Sequence, residues 1–276
     1  MSLRVAHNVE AVSVGRQLAA TGTRLATSMQ RLSSGFRINS AADDAAGLGI
    51  SERMRAQITG LDQANRNLQD GISMLQVMDG VLSEVHAILQ RARELAVYHN
   101  NGILSTASKG VIKKELAALS AEIGSIEGST SFNGIPLMQS AAAVITLQVG
   151  ANDGEVIAIS LVDLIGPTAG SLVRPNTFFT VPWMPADIAG FDMHIDDVSA
   201  ARGRLGAIQN RLEHTLAANQ SKQENLMSAE SRIRDVDMAA EMTRFTRLQV
   251  VQQAATAMLA QANHNSSNLL DLLNPG

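Results

Sequence analysis

No cysteine occurs among the 276 residues, which excludes a disulfide framework, a thiol nucleophile and a cysteine-ligated metal. Aromatic residues make up only 3%. Aromatics favour strands, whereas the plentiful Ala, Leu and Met favour helices, so the balance points to long helices packed on small side chains. Positive charge is not in excess either. The net charge is −4, so no basic field invites nucleic acid or an anionic membrane. No run of 18 apolar residues exists, and none is therefore expected to span a bilayer. The first ten residues lack the charged head and apolar stretch of a secretory signal. The Arg-, Ser- and Thr-rich opening, with Glu10 its only acid before Asp43, is also what a transit peptide looks like.

What is present is apolar periodicity. Hydrophobic residues reach 45%, enough for a substantial core. Over residues 2–34, Val14, Leu18, Leu25, Met29 and Leu32 follow the alternating three-and-four spacing of a coiled-coil seam, with Gly22 a weak point. Ser33-Ser34-Gly35 ends that helix by turn chemistry. Ser40 and Asp43 have capping-box spacing and predict the start of the next helix. From there to residue 98, Met54, Leu61, Leu68, Leu75, Leu82 and Leu89 recur every seven residues, and Ala64, Met78, Val85 and Ala92 make a second row with Gly71 as its gap. A helix over 44–98 is about 80 Å long at ~1.5 Å per residue. Such a rod needs a bundle or a fibre around it.

A third helix is expected over 108–128, where Ile112, Leu116, Leu119, Ile123 and Ile126 alternate four-three. Five of the six prolines and the only tryptophan then fall between residues 133 and 192. Within that stretch Ile145, Leu147 and Val149, and again Ile157, Ile159 and Leu161, alternate around Asn152-Asp153-Gly154, which predicts a β-hairpin over 144–161. The sevenfold spacing returns over 198–239 with Val198, Leu205, Leu212, Leu226 and Ile233, interrupted by the polar Asn219. A last helix over 242–262 carries Leu248, Val251 and Met258 on one side, and the polar run from His264 to Asn268 is expected to break it. The fold class is therefore mainly α: a long antiparallel coiled-coil bundle of paired N- and C-terminal segments, with a small β-hairpin region in the middle.

Catalytic chemistry finds no support. The six histidines are scattered outside any zinc spacing, and no phosphate loop or nucleophile elbow occurs. Gly47-Leu48-Gly49 lacks the third glycine and a preceding strand, and Asp43-Asp44 diverge by about 100° on a helix. No cofactor, no metal and no enzyme are expected. One polar cluster is less bland: Arg91 and Leu95 stand four apart on one helix face, although a solvated face with a snorkelling arginine explains them as well.

The run Arg31-Leu32-Ser33-Ser34-Gly35-Phe36-Arg37-Ile38-Asn39-Ser40-Ala41-Ala42-Asp43-Asp44-Ala45-Ala46-Gly47 closely resembles the N-terminal signature of bacterial flagellin. Matches follow in the family's order: Asn67 to Ser73, Gln90 to Val97, Phe132-Asn133-Gly134, Leu147 to Gly154, Arg234 to Ala239 and Ala257 to Asn263. The resemblance covers residues 1–162 and 190–273, and departs from the family in lacking large outer domains.

That resemblance implies a homo-polymer, the helical filament of the extracellular flagellum. It implies an inner-tube domain from 1–40 and 240–276, a rod-like outer-tube domain from 41–162 and 190–239, and a short proline-rich connection over 163–189. Implied partners are a flagellar export chaperone, the type III export apparatus, and the filament cap and hook-junction proteins; neither nucleic acid nor a membrane is among them. Arg91, Leu95 and Glu115 fall on the positions that Toll-like receptor 5 recognises on the monomer, and the same face is a subunit interface in the filament. A hook–filament junction protein is the alternative with similar ends. An enzyme grafted between flagellin-like ends has too short a middle, and a pure adhesin is separated by binding assays on monomer. Segment one alone has too few seam contacts to offset its ordering entropy, so the termini are expected to order only on assembly.

Overall fold

The computed structural model describes residues 8–138, 144–161 and 187–273, with the side chains after Asn265 left aside. Five helices and two small antiparallel pairs of strands follow in order among these residues: α1 (Val9–Ser34), α2 (Ala45–His99), α3 (Thr106–Ser129), β1 (Ser131–Phe132), β2 (Ile135–Pro136), β3 (Val144–Gln148), β4 (Val156–Ser160), α4 (Ile188–Arg234) and α5 (Met238–Leu273). They divide into two units, one of Met1–Ala56 with Leu226–Gly276, the other Gln57–Asn225. The proline-rich connection and the Asn274-Pro275-Gly276 end fall largely or wholly outside the described residues.

In the first unit α1 lies antiparallel on α5. Asn8 caps α1, its Oδ1 accepting from the Ala11 N–H at 2.9 Å, while its Nδ2 donates to the Ala262 carbonyl at 3.0 Å. Gly35 closes the helix at φ 75 and donates its N–H to the Arg31 carbonyl, a left-handed cap that a side chain would strain. Helix α2 does not start at Ser40. Residues 40–43 form a turn in which the Asp43 carboxylate accepts from the Asn39 and Ser40 N–H groups and the Ser40 hydroxyl. The cap is Asp44, whose Oδ1 takes the Gly47 N–H at 2.9 Å. The cap thus falls four residues after the expected Ser40.

In the second unit the antiparallel course of α2 and α4 is marked by Arg93 with Asp192, Asp79 with Arg202 at 2.8 Å, and Asp62 with Gln223 at 2.6 Å. Leu61, Leu68, Leu75, Leu82, Leu89, Leu205 and Leu212 are all buried. One 18-residue window of α2 reaches a mean hydropathy of 1.3, as a core helix with two apolar rows will. Ser105 caps α3, whose Ile112, Leu116 and Ile123 face inward. Hairpin β3–β4 pairs Val144 with Ser160 through Gln148 with Val156, and Gly154 supplies its positive φ of 83. Ile157 and Ile159 join the core made by the long helices.

The two interruptions in the heptads belong to this hairpin. A Cβ at Gly71 would lie 2.4 Å from Leu147 Cδ1, so the gap in the row is where Leu147 packs. Asn219 donates to the Val149 carbonyl at 2.6 Å, and Asn67 to the Gln148 carbonyl at 3.1 Å. Each long helix thus holds one carbonyl at the hairpin's tip.

Three further helix boundaries differ from expectation. Helix α4 begins at Ile188, ten residues early, and stops at Arg234 because Asp237 caps a new helix through the Ala239 and Ala240 N–H groups. Helix α5 then runs unbroken through His264 to Leu273. Asn, Ser and His are only mildly poor helix formers, and Gln261 to Asn265, one turn apart, bond at 3.0 Å.

Candidate functional site

Arg91 and Leu95 lie in the last turns of α2, and the antiparallel return of α3 brings Glu115 beside them. Arg91 Nη2 donates to Glu115 Oε1 at 3.0 Å and Nη1 to Glu94 Oε2 at 3.2 Å. The two carboxylates hold the guanidinium above its ordinary range, the Glu115 hydrogen bond contributing most. All three groups stay open to solvent, so the triad is a weakly held, exchangeable arrangement. Beside it Tyr98 and Val111 are exposed, and together they line an open groove of about 530 Å³. Leu95, by contrast, is buried with Ala92, Ala96, Ile112, Leu116 and Phe191. It shapes the groove floor from beneath while Arg91 and Glu115 supply the contactable atoms. Among the described residues no three His, Asp or Glu side chains cluster to hold a metal.

The second candidate surface is the terminal pair. Val14, Leu18, Leu25 and Leu32 of α1 and Leu248 of α5 are half-buried. Met29, Val251 and Met258, which the spacing placed on the seam, are exposed in the single chain. The positions most buried in α1 are Thr21 and Ser28, and in α5 Glu241 and Ala262. Val9, Val12 and Met29 on α1 and Met242, Val250 and Met258 on α5 are thus large apolar side chains left exposed in the single chain. Leu226, at the far end of the α4 row, is half-buried.

Sequence reasoning missed a clasp where α1 ends and α5 begins. Phe36 pairs with Asp235 in an antiparallel bridge, and the Arg37 N–H donates to the Arg234 carbonyl at 2.6 Å. The Phe36 ring carries the Arg234 guanidinium at 4.8 Å and that of Arg55 at 6.0 Å. Arg234 also reaches Glu52 at 2.6 Å, and Arg55 reaches Glu230 at 3.4 Å. Cation–π contacts between residues so distant in the chain leave no periodic trace. The Asn-Gly turn at Asn133 and Gly134, with φ 49 and 78, did have a signal, because that dipeptide favours a two-residue hairpin loop.

His194 near the start of α4 carries a pH dependence. Burial pushes its imidazole below the ordinary value of 6.5, against the opposing pull of Asp197 and Asp187. The unfolded chain then binds the proton more readily, so stability is full above that ordinary value and falls as pH drops below it. The thermal midpoint should decline between about pH 7.5 and 5.5, and His194→Gln should flatten that decline. An unchanged slope in the variant would assign the acid sensitivity elsewhere.

Comparison with known proteins follows this geometry. The family model of the bacterial flagellin N-terminal helical region matches residues 5–143, and that of the C-terminal helical region matches 188–273. A flagellin of Halalkalibacterium halodurans is 46% identical over 269 residues, covering 97% of this chain and 98% of that one. A flagellin of Bacillus subtilis is 42% identical, covering 98% and 100%. The crystal structure of Bacillus cereus flagellin is 28% identical, with a TM-score of 0.46, over 56% of this chain and 88% of that one.

Proposed function

The chain belongs to the bacterial flagellin family, and we propose on that footing that its terminal helices order as copies assemble and its Arg91 groove serves both assembly and receptor recognition. As a flagellin it is a structural subunit of the extracellular flagellar filament and not an enzyme. The finer reading gives residues 1–40 and 240–276 to the inner tube, and 41–162 with 190–239 to the outer-tube rod, with 163–189 a short connection in place of outer domains. An export chaperone covers α5 beforehand, the type III apparatus exports the chain, and cap and hook-junction proteins bound the polymer.

The observation that carries this is that large apolar side chains of α1 and α5, Val9, Val12, Met29, Met242, Val250 and Met258 among them, are exposed in the single chain. An isolated chain leaves them in water, whereas a neighbouring copy removes them from it. Electron microscopy of purified subunits after seeding tests the reading. Long uniform tubes support it; short oligomers alone would favour the hook–filament junction reading instead.

For the groove, Toll-like receptor 5 is the proposed monomer partner, through Arg91 and Glu115 with Leu95 beneath. Arg91→Asp reverses the central charge of the triad without touching the buried cluster. Receptor signalling and filament elongation should both fall by about tenfold or more, as for a central interface arginine, while circular dichroism stays unchanged. Full signalling by this variant would remove the receptor proposal.

A further inference from the structure

Buried polar atoms ordinarily find partners, and the α1–α5 pair breaks that rule at one level. Glu241 is 8% exposed and Ser28 2%, yet neither Glu241 Oε1 nor Ser28 Oγ has a hydrogen-bond partner. Two fixed points set the register of the pair: Asn8 on Ala262, and Phe36 on Asp235. Counting inward from either end places Ser28 and Glu241 opposite each other within a helical turn. The charged groups around this level are Arg24 and Arg31 on α1 and Asp237 and Arg244 on α5. Arg31 gives its Nη2 to Asp43 at 3.4 Å while its Nε is itself buried without a partner, and Arg24 and Arg244 are exposed. Among the described residues no cation pairs with Glu241.

A carboxylate oxygen taken from water without a partner opposes the contact that buries it. We propose that Glu241, facing Ser28, is a brake on the α1–α5 pair that is released by a guanidinium from a second copy of the chain. The donors are at hand. Arg16 and Arg24 on α1 and Arg244 and Arg247 on α5 are exposed, and none has a carboxylate partner among the described residues. The lone chain therefore holds its terminal pair loosely, and the assembled chain holds it firmly. This rests on the reading that the terminal helices order on assembly, and it names the residue that sets the threshold.

The test compares wild type, Glu241→Met and Glu241→Gln by amide hydrogen exchange on unassembled chain and by the critical concentration for seeded growth. In the unassembled methionine variant, exchange over residues 9–34 should slow by about tenfold, the gain expected when an apolar side chain replaces an unpaired buried charge. Glutamine should give a smaller change of the same sign. The critical concentration should rise in both, because the inter-copy pair is gone. Fast exchange in wild type with no slowing in either variant overturns the brake and leaves ordering on assembly intact. Strong protection already present in wild type overturns that underlying reading too. Slower exchange with an unchanged or lower critical concentration overturns the second copy as the source of the guanidinium.

Discussion

Leu82→Ala should lower the unfolding free energy of the 57–225 unit by about 2–5 kcal/mol, the range for emptying a fully buried leucine site. Leu82 has no exposed surface and sits in the cluster that joins Leu75, Val85, Leu89, Ile123, Leu205 and Ile159. That cluster takes side chains from two long helices, α3 and the hairpin. Elements tied to one another from three sides collapse poorly into a void, which puts the loss in the upper part of the range. Urea unfolding of unassembled subunit reads the change as a fall in midpoint at constant slope. Val77→Ala, at an exposed position of the same helix, should stay within about 0.5 kcal/mol of wild type. A Leu82→Ala loss no larger than that control would mean that the cluster is not the cooperative core.

Gly60→Val should cost about 1–3 kcal/mol through overpacking and should loosen the hairpin more than the helix that carries the change. A Cβ built at Gly60 falls 2.8 Å from Ala151 Cβ and 3.2 Å from Ala151 Cα. A flexible side-chain end swings aside, but a backbone atom moves only with its strand. The displacement therefore reaches the tip carbonyls held by Asn67 and Asn219. Amide exchange over Val144–Gln148 and Val156–Ser160 should quicken. Gly80→Ala is the contrast: nothing lies within 4 Å of a Cβ there, so the variant should gain up to about 1 kcal/mol of helix propensity. Equal behaviour of Gly60 and Gly80 variants would dismiss the close approach as the reason for glycine.

How far the chain could be read in advance depended on whether a feature repeats. The heptads of α2 and the alternation of β3 and β4 repeat, and a repeat survives the loss of any one position. Leu61 through Leu89 were legible for that reason. Ser40 and Asp44 illustrate the opposite case, since a cap is a single residue and two candidates four apart look alike until the backbone chooses. The early start of α4 was announced by Ile188, Phe191 and Ile195, which lead into Val198 at three-four-three spacing and pack on the core, but Asp192, Asp196 and Asp197 between them made the row easy to pass over. Gly71 and Asn219 read as flaws in a pattern because the partner that uses them comes from a different element. As for the groove, helical spacing put Arg91 and Leu95 on one face, whereas Glu115 was reached only through family resemblance. Nothing local in α3 points across to α2, so only the fold brings that carboxylate to 3.0 Å.

The bond from Asn8 to Ala262 spans 254 residues, and this distance bears on the order in which the molecule folds. A contact so remote closes almost the whole chain into a loop, which makes it a late event compared with local helix growth or hairpin closure. The N-terminal end has no partner within the chain until the C-terminal end is in place as well. Until then α1 and α5 are two separate segments whose exposed Val and Met side chains lie open to water. The clasp between Phe36 and Asp235 closes a loop only slightly smaller, so it cannot act as an early nucleus for the pair. On loop-closure grounds the middle of the chain is expected to fold first and the two ends to meet last.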